Sequence, residues 1–222
     1  MLPPQTFYHQ SSHGADHSVM LQSLMSAGQL TTPDLTTPPV RLRTIGQEDV
    51  PLVQAILVEP ENIKDDLSVA SLNSQELTAM IKSWTVHTDP PTSFQFLVTV
   101  ANKNVGLAGL GWIGSKTALI TDGKPVQIGA VGVIINPDAR GHGYGFETLR
   151  IVIDHGLREL KLDQIEVGTI SRNTAMRRLM EDRFGMPATI TEPDRFGNDL
   201  EWNITQSTWA TWLTEHGEQR IA

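Results

Sequence analysis

Apolar and polar positions change their spacing several times along this 222-residue chain, and each change marks an element. From 40 to 45, Val40, Leu42 and Ile45 alternate with Arg41 and Arg43, which predicts a strand. Gln47, Glu48 and Asp49 then place acidic groups at the start of a helix carrying Leu52, Val53, Ile56 and Leu57, with Pro51 suited to its first turn. Glu59-Pro60-Glu61-Asn62 breaks that helix, and 63–69 reads as a short second piece. Asn73 with Glu76 forms a capping pair for a helix reaching about His87. Asp89-Pro90-Pro91 closes the helical section, and a β-hairpin follows over 94–101 and 105–113. The polar stretch 115–125, containing Asp122-Gly123, reads as a connection.

The next change is the sharpest. Residues 131–135 form an apolar run, β-branched except at Gly132, the pattern of a buried strand, and Asn136-Pro137-Asp138 stops it. Arg140 then introduces glycines at 141, 143 and 145. Beyond them Phe146, Leu149, Ile153, Leu157 and Leu160 recur at helical spacing. A strand, a glycine loop and a helix in that order aim unpaired N–H groups and a positive helix end at one point, which suits a phosphate or pyrophosphate. A second strand over 164–170, a helix opened by Asn173 and ending in Phe184-Gly185-Met186, and strands over 188–191 and 200–205 follow. A closing helix over 208–215 ends at Gly217.

Spacing decides which phosphate motif this is. A dinucleotide fingerprint needs G-x-G-x-x-G, whereas here the third glycine comes one residue early. Gly109 to Thr117 nearly spells a nucleotide P-loop, but Ser115 stands where the lysine belongs. Arg140 to Gly145 does fit R/Q-x-x-G-x-G/A, and that resembles the acetyl-CoA loop of the GNAT superfamily of N-acetyltransferases. The order of elements from about 96 to 186 is also similar to the GNAT core. Val40-Arg41-Leu42-Arg43, Glu48-Asp49, Ile153-Asp154-His155-Gly156-Leu157 and the stretch from Asn173 to Glu181 are most similar to the RimJ/RimL-like, ribosomal-protein-alanine acetyltransferase subgroup.

The resemblance implies an α+β fold: one domain with a mixed, mostly antiparallel sheet of six to seven strands flanked by helices, its central strands splayed to hold CoA. The domain is expected over 40–217, after a Ser-, Thr-, Pro- and His-rich extension (1–39) expected to be flexible, and before a short tail (218–222). A formal charge of −8 argues against a nucleic-acid partner and fits a positively charged acceptor. No Cys is present, so neither a disulfide framework nor thiol catalysis is open to the chain. Residues 1–10 lack the charged start and apolar run of a secretory signal, and no stretch approaches the roughly 18 apolar residues of a membrane span, so a cytoplasmic protein is expected. His9, His13 and His17 fall four apart, but Ser11, Ser12 and Gly14 are poor helix formers, and no metal site is expected.

For the site, the resemblance implies that Arg140 and the backbone of Gly141, His142, Gly143, Tyr144, Gly145 and Phe146 grip the pyrophosphate of acetyl-CoA, the co-substrate. It implies too that the backbone of Val133, Ile134 and Ile135 pairs with the pantetheine arm, and that Asn173 contacts the cofactor. Many superfamily members carry a Tyr seven residues after this Asn to protonate the thiolate. Here that position is Met180, and Phe184 makes the helix end one residue longer than usual. The base is equally inconspicuous; Glu166 and His87 are candidates, with Asp89 and the 194–201 hairpin behind them. Holding a lysine-like amine neutral at pH 7 costs ~4.6 kcal/mol against ~1 for an α-amine. The expected activity is therefore acetyl transfer, by direct attack in a ternary complex, to a peptide N-terminus or a small-molecule amine, by a monomer or homodimer. A GNAT fold repurposed for other chemistry, or acting as a CoA-binding module, is the alternative. Trp202, Trp209 and Trp212 read as core, with an acceptor wall or a dimer face as the other option.

Overall fold

The computed structural model describes residues 30–31, 39–86, 88–121 and 123–216. The histidines at 9, 13 and 17, the candidate base His87, Gly217 and the tail 218–222 lie outside the described residues. Eight strands form one sheet: β1 (Leu30–Thr31), β2 (Val40–Thr44), β3 (Phe94–Val100), β4 (Lys103–Thr121), β5 (Lys124–Ile135), β6 (Gln164–Thr169), β7 (Thr189–Ile190) and β8 (Leu200–Thr205). Their order is β1-β2-β3-β4-β5-β6-β8-β7, and only β5 and β6 run parallel. Strands β2 to β8 make the mixed sheet that the sequence led us to expect. β1, from the stretch read as an extension, adds an edge by pairing Leu30 with Leu42 and Thr31 with Arg41.

Helices cover the sheet on both sides. α1 (Val50–Val58), α2 (Pro60–Ile63), α3 (Leu67–Ala70) and α4 (Ser74–Trp84) follow β2. Pro60 opens α2 where the sequence suggested only a break; a proline is at ease there because a first-turn N–H has no helical partner. Asp66 caps α3, and the Asn73–Glu76 box caps α4 as expected, with Asn73 Oδ1 accepting from Glu76 N–H at 3.0 Å and Glu76 Oε2 accepting from Asn73 N–H at 2.9 Å. α5 (Tyr144–Asp154) follows β5 and ends in a wide π turn over His155–Glu159. α6 (Thr174–Arg178) likewise passes into a π turn, and α7 (Gln206–His216) closes the described chain.

Alternation along the strands divides the core in two. On one face Phe94, Phe96, Val98, Ala108, Leu110 and Val131 pack with Phe146, Leu149 and Ile153 of α5 and with Phe184, Trp202, Trp209 and Trp212. On the other, Leu97 and Leu107 meet Val53, Leu57, Leu77 and Ile81 of α1 and α4. The three tryptophans are thus core, 1–6% exposed.

The sheet corrects one reading outright. The 115–125 stretch is no connection: β4 runs on through Ser115 and Lys116 to Thr121, and the turn comes at Gly123, at a φ of +74°. β5 begins at Lys124, well before the apolar run, so β4 and β5 project as a two-stranded arm below the start of β6.

Candidate active site

The parallel pair is where the sheet opens. β5 and β6 pair from Ile128↔Gln164 to Val131↔Val167 and no further, although β5 continues to Ile135 beside β4 and β6 to Thr169 beside β8. Past Val131 the two strands part. Asn136 N–H donates to Val105 O on the β4 side at 2.8 Å, so by alternation the main-chain groups of Val133 and Ile135 face the other edge, into the split. A Cβ built on Gly132 meets nothing within 4 Å. Ile134 sends its side chain to the opposite core, and its main-chain groups face β4.

Above the split lies the glycine loop. Gly141 and Gly143 have φ values of +82° and +80°, a region that costs an L side chain ~1–2 kcal/mol, and a Cβ at either would project into open space. Gly143 is also the N-cap of α5, and being glycine it has no side chain with which to cap that helix. The first-turn N–H groups of an α-helix have no partner within it, so the loop presents the donors and the positive helix end that an anion requires. Gly145 is different: it is helical, and a Cβ there would stand 3.6 Å from Ile135 Cγ1, an ordinary contact. His142 is exposed and stacks loosely on Tyr144 at 5.6 Å, while Phe146 is buried against Phe184. The backbone cradle fits a pyrophosphate without any of these three side chains.

Arg140 sits beside the cradle but holds protein. Its Nε donates to Ile135 O at 2.9 Å, and Nη2 donates to Glu61 O and Asn62 Oδ1, both at 2.9 Å, tying the end of β5 to α2. Across the split, Arg172 Nη2 donates to Lys64 O at 3.2 Å and its Nε contacts Asp65 Oδ1 at 3.3 Å. The 61–65 segment is therefore fastened to both strand exits. Asn173 caps α6 by accepting from Met176 N–H at 3.1 Å and donates to Thr169 Oγ1 at 3.0 Å, which leaves one amide hydrogen for a ligand.

The opposite end of the split holds a carboxylate. Trp112, Ala130, Glu166 and Asn203 stand side by side in register across β4, β5, β6 and β8, and so share one face. It is the face of Ile134, but none of the four belongs to the core that α1 and α4 build there. A bulge at Gly111 puts Leu110 in the α5 core and turns Trp112, 43% exposed, onto this open face. Glu166 lies one residue short of the point where the strands part. Its side chain is 14% exposed, pairs with Lys116 and accepts from Gln164 Nε2 at 3.1 Å. Asp194, another acidic candidate, spends its carboxylate on its own turn. Burial acts to raise that group, but hydrogen bonds from Asn198 and Phe196, with the nearby Arg195 charge, outweigh it and hold the group below the usual carboxylate range. Neither Trp112 nor Lys116 stands out in the sequence as a site residue, because their nearness to Glu166 arises only from strand pairing.

Met180 is fully buried in the α5 core and faces no opening. The extra residue noted at this helix end is taken up by the π turn over Leu179–Arg183, with Phe184 N–H donating to Leu179 O at 3.2 Å. Among the described residues no helix is long and apolar enough to cross a membrane, and no three acidic, His or Cys side chains are placed to hold a metal.

Comparison with known proteins agrees with this geometry. The model of the GNAT acetyltransferase domain matches residues 40–186. No curated protein sequence matches the chain. Among solved structures, the chain is similar to RimL, a ribosomal L7/L12 α-N-protein acetyltransferase in complex with CoA, at a TM-score of 0.63 and 12% identity over 81% of this chain and 99% of that one. RimJ of Mycobacterium smegmatis, in complex with a CoA disulfide, gives 0.61 and 15% over 85% and 95%. MccE, a microcin C7 self-immunity acetyltransferase in complex with acetyl-CoA and AMP, gives 0.59 and 10% over 75% and 92%. At such identities the likeness is one of fold.

Proposed function

The chain belongs to the GNAT acetyltransferase family, and from that premise we propose that it moves an acetyl group from acetyl-CoA to a primary amine, a peptide N-terminus or a small-molecule amine, by direct attack in a ternary complex. The observation that carries this reading is the split between β5 and β6, with a glycine-built helix start at one end and a carboxylate at the other. The loop backbone from Gly141 to Phe146 holds the pyrophosphate, and the edge of Val133 and Ile135 receives the pantetheine arm. Glu166, on the open face beside the base of the split, takes a proton from the acceptor ammonium. The amine nitrogen then bonds to the thioester carbonyl carbon, the C–S bond breaks, and the nitrogen gives up its second proton, which water carries to the departing thiolate. A main-chain N–H of the β5 edge stabilises the carbonyl oxygen as charge develops on it.

Incubation of the protein with acetyl-CoA and a panel of amines and short peptides, read by mass spectrometry, tests the reading. It requires an acetylated primary amine. Tight CoA binding with no acetylated product from any acceptor would instead favour a CoA-binding module.

A further inference from the structure

The ammonium that engages Glu166 in this fold belongs to the chain itself. Lys116 Nζ forms an ion pair with Glu166 Oε1, the oxygen that also accepts from Gln164. The lysine side chain is 39% exposed and the glutamate 14%, so the cation lies on the solvent side of the carboxylate. Lys116 also sits where the sheet narrows. β6 begins beside Ile128, so from Lys116↔Val126 outward β4 and β5 pair only with each other, and their register slips between Lys116 and Ile120. A two-stranded ribbon has little stability of its own, so this root yields more readily than the body of the sheet.

We infer that Lys116 is an internal stand-in for the acceptor: its ammonium occupies on Glu166 the place that the acceptor ammonium takes, and it withdraws with the β4–β5 arm as the acceptor enters. The inference rests on the reading of the open face as the acceptor side. It also names the substrate class. An acceptor that arrives as a cation restores the charge pair that it breaks, whereas a neutral molecule of the same shape leaves Glu166 without a counter-charge. The exposed Trp112 indole, in the same cross-strand row, offers the incoming ammonium an apolar and cation-attracting wall. Glu166 thus favours ammonium acceptors over neutral ones, and Lys116 is a positioning residue that holds the carboxylate until such an acceptor takes its place.

Titration of n-butylammonium into the full-length protein saturated with CoA, followed by NMR, tests this without turnover. Lys116→Met keeps most of the length and removes the charge. It should bind the probe about two- to fivefold more tightly than wild type, the equivalent of one partly exposed ion pair. Lys116→Arg should return to the wild-type value, and n-butanol, which brings Glu166 no cation, should bind wild type more weakly than n-butylammonium does. Equal affinity in wild type and Lys116→Met, weaker binding in Lys116→Met, or no binding to either would overturn the inference. Steady-state kinetics separates it from the reading beneath it. If Lys116→Met changes the probe affinity as expected yet no amine is acetylated, the stand-in survives and acetyl transfer falls. If amines are acetylated but Lys116→Met lowers kcat without lowering the acceptor KM, Lys116 merely orients Glu166 and the stand-in falls.

Discussion

His155 is 4% exposed, packs edge-on to Phe94 at 6.2 Å, and finds no hydrogen-bond partner for either ring nitrogen among the described residues. Burial pushes its imidazolium pKa down, only partly opposed by the charges of Glu159 and Asp154. The unfolded chain therefore takes up this proton first. Stability is complete above about pH 6.5 and falls as pH drops below it, until the folded state also protonates. Denaturant melts of wild type should weaken across that window, and those of His155→Phe should weaken less. Asp49 works at lower pH. The hydrogen bonds from Arg43, 2.7 and 2.8 Å long, hold its carboxyl below the usual range against the burial that would raise it. Its contribution is present above the unfolded value near 3.9 and is lost as pH falls through the lower folded one. Asp49→Asn should cost about 1–3 kcal/mol at pH 7, measured by urea unfolding, and very little in acid.

At the scale of elements, the sequence was most readable where burial differs between the faces. β2, β3 and β6 alternate or run apolar because one side or both are in a core, and the Asn73 box marks α4 through hydrogen bonds local to the chain. The lower half of β4 reads as a connection in the sequence because Ser115 and Lys116 are both polar and give no apolar period, although Val126 opposite Lys116 is buried. The π turn after α6 was visible only as one residue too many. Its consequence is that Met180, at the position where a proton-donating Tyr would stand, points into the core. Met180→Leu should cost less than about 1.5 kcal/mol, whereas Met180→Tyr should overpack the core and cost ~1–3 kcal/mol without raising turnover. Thermal unfolding beside the steady-state rate checks both. An accelerated Tyr variant would show that this helix end opens toward the thiolate.

Over the whole molecule, the glycine loop at one end of the split was legible in the sequence and the cross-strand row at the other was not. The loop is a local device: two glycines forced to positive φ, one strand before them and one helix after. The row that we propose for the acceptor side crosses four strands and is assembled from residues up to 91 positions apart, and sequence spacing carries no trace of it. Arg140 shows the same limit, since its partners Glu61 and Asn62 lie on another layer. Among the described residues β1 adds two pairings to β2 at the edge of the sheet. A chain beginning at Pro39 should stay folded, bind CoA and lose less than ~3 kcal/mol of unfolding free energy. Calorimetry and chemical denaturation check this, and a larger loss would place a docked segment before β2.

The claim on which the account turns is that one split joins a backbone phosphate cradle to Glu166. Acceptor-dependent release of CoA thiol from acetyl-CoA, measured for wild type, Gly143→Asn, Gly143→Glu and Glu166→Gln alongside CoA affinity, tests it most directly. The account predicts that Gly143→Asn, which tolerates the left-handed backbone, stays close to wild type, while Gly143→Glu loses CoA affinity through charge and bulk. It predicts that Glu166→Gln keeps CoA affinity and loses about 10²–10⁴-fold in kcat/KM for the acceptor. Full acceptor-dependent release by folded Glu166→Gln, or unchanged CoA affinity in folded Gly143→Glu, would contradict it.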